Sequence, residues 1–331
     1  MGKITVLGAP FLDLIYGFPL SEMNGEKRGK LDLKLAPGGP ASNLATGLAR
    51  LEANSSLQGM VGADWFGRYL QTVLEEEGVD TGELIVREEK KTGIVFPVID
   101  SKGVQRGFEL LNDPVQFQLT ESEIGDFSFS GVQFLFADGI LLMEKESRKA
   151  LVEGVKRAND CGVSVVFDPN FRLQASVLKS RARNALDKIL EGTDYLVLNR
   201  EELEVVREVS FPDSKEEDLA EELAAADMKA VIVKQGLNGH EVVIDGKTSS
   251  EGPFSVEAVD GQGTGDAFDA GFIAGLSKGL TIEESAKVGS AAGAIVCTEQ
   301  AAWSPLPKLI GLRYFLKYNG AGWLADKLEE E

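Results

Sequence analysis

Short runs of β-branched and aromatic residues alternate along the chain with longer stretches whose apolar positions recur every three to four residues. The short runs Ile4–Leu7, Leu57–Val61, Val132–Phe136, Val163–Phe167, Tyr195–Leu198 and Ala230–Val233 predict strands. The longer stretches Ala41–Leu51, Trp65–Glu77, Lys145–Asn159, Ala182–Leu190, Glu216–Ala225, Asp266–Lys278 and Ile282–Thr298 predict helices. Helix starts carry their own punctuation. Thr120 and Thr281 each stand three residues before a glutamate, Glu123 and Glu284, a spacing in which side chain and backbone cap each other. The predicted strands are apolar throughout rather than alternating, as strands buried on both faces are. The pattern therefore predicts an α/β fold whose central, mostly parallel sheet is flanked by helices.

Two regions break the rhythm. Residues 11–36 and 92–112 hold turn residues and short alternating runs, such as Gly93–Ile99 followed by Ser101-Lys102-Gly103. They read as antiparallel ribbons that pair into a small sheet, a lid standing off one α/β domain of residues 1–331. An open sheet edge there invites a second copy, so a homodimer through the lid is expected. The segment Trp323–Glu331 predicts a last amphipathic helix with a frayed acidic end.

Composition narrows the function. Fifty-three acidic against 34 basic residues give a formal charge of -19, which repels nucleic-acid backbones, and no basic patch offsets it. No stretch of about 18 apolar residues occurs, so no membrane helix is expected. The N-terminal segment, Met1-Gly2-Lys3 and a β-rich run, lacks the pattern of a secretory leader, and a cytoplasmic enzyme is expected. Cys161 and Cys297 have no metal-ligand spacing and read as buried small apolar residues. The lone histidine, His240, reads as a surface or turn residue; a single histidine excludes His-rich metal sites and argues against a Ser-His-Asp triad.

The richest chemistry lies in Val259–Phe272, VDGQGTGDAFDAGF. A strand ending near Val259, then glycines, then a helix starting near Asp266 would leave the N–H groups of Gly263, Thr264 and Gly265 at a helix N-terminus. Their partial positive charge suits a phosphoryl group gaining negative charge in flight. Asp266 sits where it can draw a proton from an attacking hydroxyl. Equally, aspartate is a favoured helix cap. Local pattern leaves both readings open.

This segment resembles the C-terminal signature of the ribokinase-like, phosphofructokinase-B-type carbohydrate kinases, through Asp260, Gly263, Gly265 and Asp266. The resemblance implies a catalytic base at Asp266 and an anion hole from the amides of Gly263, Thr264 and Gly265, with ATP and Mg²⁺ as cofactors. Gly38-Gly39-Pro40-Ala41-Ser42-Asn43 resembles the N-terminal signature, where Gly38 and Gly39 let backbone approach a sugar and Asn43 bonds a hydroxyl. Asp13 matches the family's early aspartate, whose two oxygens accept from sugar hydroxyls. Val61-Gly62-Ala63-Asp64-Trp65-Phe66-Gly67 also fits, with packing and helix capping as its role. Asn199-Arg200-Glu201-Glu202 matches an N-x-x-E in which Asn199 and Glu202 organise the Mg²⁺-water shell and phosphates, Glu202 through water. A plain helix cap with an acidic first turn would look the same. Lys234-Gln235-Gly236-Leu237-Asn238-Gly239 resembles a nucleotide-side turn, placing Lys234, Gly236 and Gly239 at ATP.

Two departures matter. Asp260-Gly261-Gln262 replaces the more usual D-T-T start, so K⁺ held near Asp260 and Gln262 stays open. Asp168-Pro169-Asn170-Phe171-Arg172 is similar to the D-x-N-x-R of fructokinase and 2-keto-3-deoxygluconate kinase branches. Arg172 can clamp a substrate carboxylate or the transferring phosphate, with Asp168 beside it; a strand-end turn is the alternative for Asp168 and Asn170. Arg106 is a further substrate-binding candidate. The sequence thus reads as a ribokinase-like kinase that phosphorylates a hydroxyl of a sugar or sugar acid. A nucleoside kinase of the same superfamily and a non-catalytic sugar or nucleotide sensor are the rivals. A dinucleotide-dependent oxidoreductase fits least, since GAPFLD, not G-x-G-x-x-G, follows the first strand.

Overall fold

The structure, a computed structural model, describes residues 2–16, 33–99, 105–109, 114–171, 175–215, 218–225, 228–299 and 302–329. Its strands are β1 (Lys3–Leu7), β2 (Phe11–Tyr16), β3 (Leu33–Gly38), β4 (Ser55–Gly62), β5 (Leu84–Arg87), β6 (Ile94–Ile99), β7 (Gln105–Glu109), β8 (Val132–Asp138), β9 (Ser164–Asp168), β10 (Tyr195–Asn199), β11 (Ala230–Lys234), β12 (His240–Ile244) and β13 (Lys247–Glu251). Nine form one sheet in the order β13-β12-β11-β10-β9-β8-β1-β4-β5. It is parallel from β11 to β5 and closes at its other edge with the antiparallel β11-β12-β13 meander. Each predicted strand lies in this sheet. The strands are apolar throughout because helices cover both faces, giving one core on each side.

The remaining four strands make a separate small sheet, β3-β2-β6-β7, from the two regions that break the helical rhythm. A single side chain ties its two entry points together. Gln116, buried in the turn Val115–Gln118, accepts from the Gly93 N–H at 2.9 Å and donates to the Pro10 carbonyl at 2.6 Å. Nearby, Asp64 caps the helix Trp65–Glu76 through the Gly67 N–H and also accepts from the Thr92 N–H and hydroxyl. Burial pushes the Asp64 carboxyl up, but those donors outweigh it and leave it below the usual carboxylate range.

The helix Thr264–Ser277 is buried from Ala267 to Gly275. It packs against the helix Ile282–Val296 through small residues. A Cβ on Gly271 would meet Gly289 backbone at 2.9 Å, and one on Gly275 would meet Ser285 at 2.9 Å. Backbones this close leave the helix little room to shift, which fixes its N-terminus in place.

Several expectations need correction. No strand ends at Val259: β13 stops at Glu251, and Gly252-Pro253 opens an irregular connection. The Val259 N–H instead donates to the Cys297 carbonyl at 2.7 Å. His240 is a core residue, 2% exposed at the start of β12, with Nδ1 2.7 Å from the Ser290 hydroxyl and its ring edge-on to Phe268. Cys161 is exposed and Cys297 half-buried; the former falls at the end of the helix Lys145–Asp160, where the chain turns outward before β9. The predicted helix at 216–225 is described as Leu219–Ala225, with residues 216–217 outside the described part.

Candidate active site

The C-terminal ends of the parallel strands open into a cavity of about 830 Å³. Asp168, Asn199, Glu202, Lys234, Gly236, Gly239, Asp260, Gly263, Thr264, Gly265 and Asp266 all line it. Residues spread over some hundred positions of sequence therefore share one wall. At its centre stands the N-terminus of the helix Thr264–Ser277. Gly263 precedes it in the left-handed region at φ 70°, and a Cβ there would strike Ala302 backbone at 2.8 Å. Only glycine fits this entry.

Asp266 lies half-buried in the first turn of that helix. Its Oδ2 accepts a hydrogen bond from Asn43 Nδ2 at 2.7 Å, across 223 positions of sequence. Asn43 is 3% exposed, in the helix Gly39–Arg50 that follows β3. Asp13, Gly38 and Gly39 adjoin Asn43 rather than lining the main cavity. A Cβ on Gly38 would fall 2.2 Å from Asp13 Cγ, so the carboxyl group lies directly against the glycine. Asp13 faces Ala36 across the β2–β3 pair.

One turn beyond Asp266, on the same helix, stands Asp269, which the sequence reading passed over. It is fully buried, and Lys234 Nζ lies 3.1 Å from its Oδ1 and 2.6 Å from Asp168 Oδ2. Lys234 reaches this position from the end of β11, and its Nζ sits 3.5 Å from where a Cβ on Gly265 would be. Its ammonium is thus engaged by two carboxylates beneath the helix mouth. Burial acts to lower the Lys234 value, but Asp168 and Asp269, with Glu202 adding, raise it above the usual range. Burial raises the Asp269 carboxyl, and Asp168 and Asp266 add to that against the pull of Lys234. The warning sign in the sequence was an acid inside an otherwise apolar, small-residue helix.

Asp168 also closes the strand-end turn weighed as its alternative. Its Oδ1 accepts from the Asn170 N–H at 2.9 Å, with Asn170 at φ 42°. Asn170 Nδ2 extends to Asp138 Oδ1 at 3.4 Å. Asp138, a buried acid at the end of β8, was not anticipated; a Cβ on Gly8 would meet its Oδ2 at 2.8 Å. Asn199 and Glu202 form a full capping box, each side chain accepting from the other's N–H at 2.9 Å. The capping reading therefore holds for this pair, which also faces the cavity. Gln262 donates its N–H to Asp260 Oδ1 at 3.1 Å, shaping the loop before Gly263. Arg172 lies outside the described residues; Arg106 has its backbone in β7 and its side chain outside them.

A carboxylate beside helix-terminal amides, at the mouth of a cleft on a parallel sheet, suits phosphoryl transfer to a small molecule. Residues 12–309 match the pfkB family carbohydrate kinases, and the chain belongs to that family. It is 30% identical over 323 residues to a fructokinase of Vibrio alginolyticus, covering 96% of this chain and 99% of that one. Its fold resembles that of a putative ribokinase II from E. coli in complex with ATP and Mg²⁺, with a TM-score of 0.85, 21% identity, and coverage of 96% and 100%. A fructokinase double mutant from Vibrio cholerae, bound to fructose, ADP and potassium ion, superposes with a TM-score of 0.77 at 24% identity, covering 96% and 98%. The protein is a carbohydrate kinase, a phosphotransferase with an alcohol group as acceptor. Membership sets the oxidoreductase reading aside.

Proposed function

We propose that the protein transfers the γ-phosphoryl group of ATP to a hydroxyl of a fructose-like sugar or a related sugar acid, with Asp266 as the base. One observation carries this reading: Asp266 stands at a glycine-opened helix N-terminus, with an amide donor on its carboxylate. The N–H groups of Gly263, Thr264 and Gly265 would face charge that builds up on the group in transfer, where fixed dipoles need no reorganisation. Asp266 would take the acceptor's proton as the oxygen becomes a nucleophile. Asp13, Gly38, Gly39 and Asn43 would hold the acceptor from the small-sheet side, and Arg106, Asp168 and Arg172 are further candidates for binding it.

The residues at the other end of the cavity fit a nucleotide. Leu237 and Val259 present apolar surface there, 76% and 64% exposed, while Gly236 and Gly239 leave backbone open. Glu202 would hold Mg²⁺ through water, with Asn199 fixing its carboxylate and Lys234 supporting the turn. Bound Mg²⁺ would offset phosphate charge that an acidic cleft otherwise repels. Asp260 and Gln262 would border a K⁺ site. The small sheet would act as a lid over the acceptor and exclude water, within one α/β domain of residues 1–331. Its edge strands, β3 and β7, have no further strand paired to them among the described residues, which suits a homodimer. No helix among the described residues is long and apolar enough to cross a membrane, and a cytoplasmic setting, where ATP is available, suits the reaction.

The test is Asp266→Asn, assayed for ATP consumption with fructose and a panel of sugar acids, with and without K⁺. Turnover should fall about a thousandfold with an unchanged thermal midpoint. Retained turnover would refute the base, and wild-type ATP consumption with none of the acceptors would refute the substrate class.

A further inference from the structure

We propose that Asn43 is a positioning residue for the base, acting on Asp266 rather than only on the acceptor. The inference rests on the reading of Asp266 as base. An ionised carboxylate can only accept hydrogen bonds, so the group at 2.7 Å from Asp266 Oδ2 must be the amide nitrogen of Asn43. That fixes the amide's other end. Asn43 Oδ1 is buried and has no hydrogen-bond partner among the described residues, although leaving a buried acceptor unpaired is unfavourable. Turning the amide over would not help, because it would set two acceptor oxygens against each other. The side chain is held in the one orientation that serves Asp266.

A neutral donor at this spot has two effects. It favours the charged form of the carboxylate, the form able to take a proton, and it fixes the plane of that carboxylate relative to the amides at Gly263–Gly265. A cation would do the first more strongly, but would also hold the proton acceptor too tightly. Asn43 is carried by the helix Gly39–Arg50, which starts where β3 of the small sheet ends. The base is thereby attached to the element that would carry the acceptor. Any displacement of the Gly38–Gly39 junction is felt at Asp266 through one hydrogen bond.

Other charged groups face the base as well. Asp269 lies on the same helix as Asp266 and interacts with it electrostatically, and Lys234 at the end of β11, Asp168 at the end of β9, Glu201 and Glu202 on the helix Arg200–Ser210, and Asp260 in the preceding loop line the same cavity. All stay in place when Asn43 alone is changed, so a difference between two pH profiles reports on Asn43.

Asn43→Asp keeps the shape, removes the donor and sets a second carboxyl against Asp266. The acid limb of the kcat–pH profile should move up by at least about one pH unit, since two adjacent carboxylates resist joint ionisation. Turnover at pH 7 should fall about tenfold or more, recovering partly at pH 9, in addition to any rise in the KM for fructose from a lost acceptor contact. An acid limb that stays put, with KM alone raised, would overturn the proposal and leave Asn43 as an acceptor contact. Asn43→Ala, which withdraws the donor without adding charge, gives the same reading should the aspartate variant not fold: the limb moves up, or the proposal fails. An active Asp266→Asn protein would sink the base assignment itself, whereas an inactive one with an unmoved limb in Asn43→Asp sinks only this inference.

Discussion

Asp266 and Asp269 stand one turn apart on the same helix, yet the fold treats them in opposite ways. Asp266 is half-buried at the cavity wall and accepts a hydrogen bond from a neutral amide. Asp269 is fully buried beside an ammonium and a second carboxylate. The first has the access and the donor that a proton acceptor needs. The second, together with Lys234 and Asp168, joins the helix to the ends of β11 and β9. On the proposed reading of Asp266 as base, what separates chemistry from framework is not residue type but three residues of helical rise, which take the carboxyl group from the cleft into the core.

The sharpest way to break this comparison is to make the same substitution at both sites. Asp266→Asn should abolish turnover while leaving stability alone. Asp269→Asn should keep turnover within about threefold, because asparagine imitates the protonated acid that burial favours at that position. Similar losses of kcat in the two variants would show that the buried acid takes part in the chemistry.

Next in size is removal of the cation. Lys234→Met leaves buried carboxyl groups without their counter-ion and should lower unfolding free energy by about 3–5 kcal/mol, read from urea titrations. Pairing it with Asp269→Leu should restore part of that loss, with Asp168 still lacking its counter-ion. If the double variant is no better than the single one, the triad is not the source of the effect.

A smaller effect concerns pH. The folded values of Asp269 and Lys234 are both raised. Each therefore contributes stability below its unfolded value and loses it as pH rises through its folded value. The Asp269 contribution should decline as pH rises above the unfolded carboxylate value, so the fall in thermal midpoint with pH should be shallower in Asp269→Asn. Asp64 is depressed and works in the other direction: it contributes above its unfolded value and loses that contribution as pH falls through the folded one. Asp64→Asn should accordingly flatten the acid limb of the same midpoint curve. The smallest expected change is Asn199→Ala, which removes half of a capping box and should cost about 1 kcal/mol of stability.

The parallel sheet was legible because its strands are buried on both faces and their composition says so. β13, with the sequence KTSSE, was not: most of it is exposed and it carries no apolar signal. β5 is four residues long, too short for periodicity to register. At the site, Asp266 and the loop before it could be found because the helix start and its chemistry share one stretch of chain. The link from Asn43 to Asp266 and the meeting of Lys234, Asp168 and Asp269 arise only when distant strand ends converge. No local pattern carries them. His240 misled for a related reason: a polar residue after a glycine turn looks like surface until the helix Ile282–Val296 supplies Ser290 to accompany it.

The side chain of Gln116 bridges Pro10 and Gly93, the points where both ribbons of the small sheet leave the main body. A leaf attached at two places would ordinarily have two ways to swing, each ribbon on its own pivot. Joined through one amide, the ribbons share a spine. With β2 also paired to β6, a change at either ribbon's root would be passed to the other.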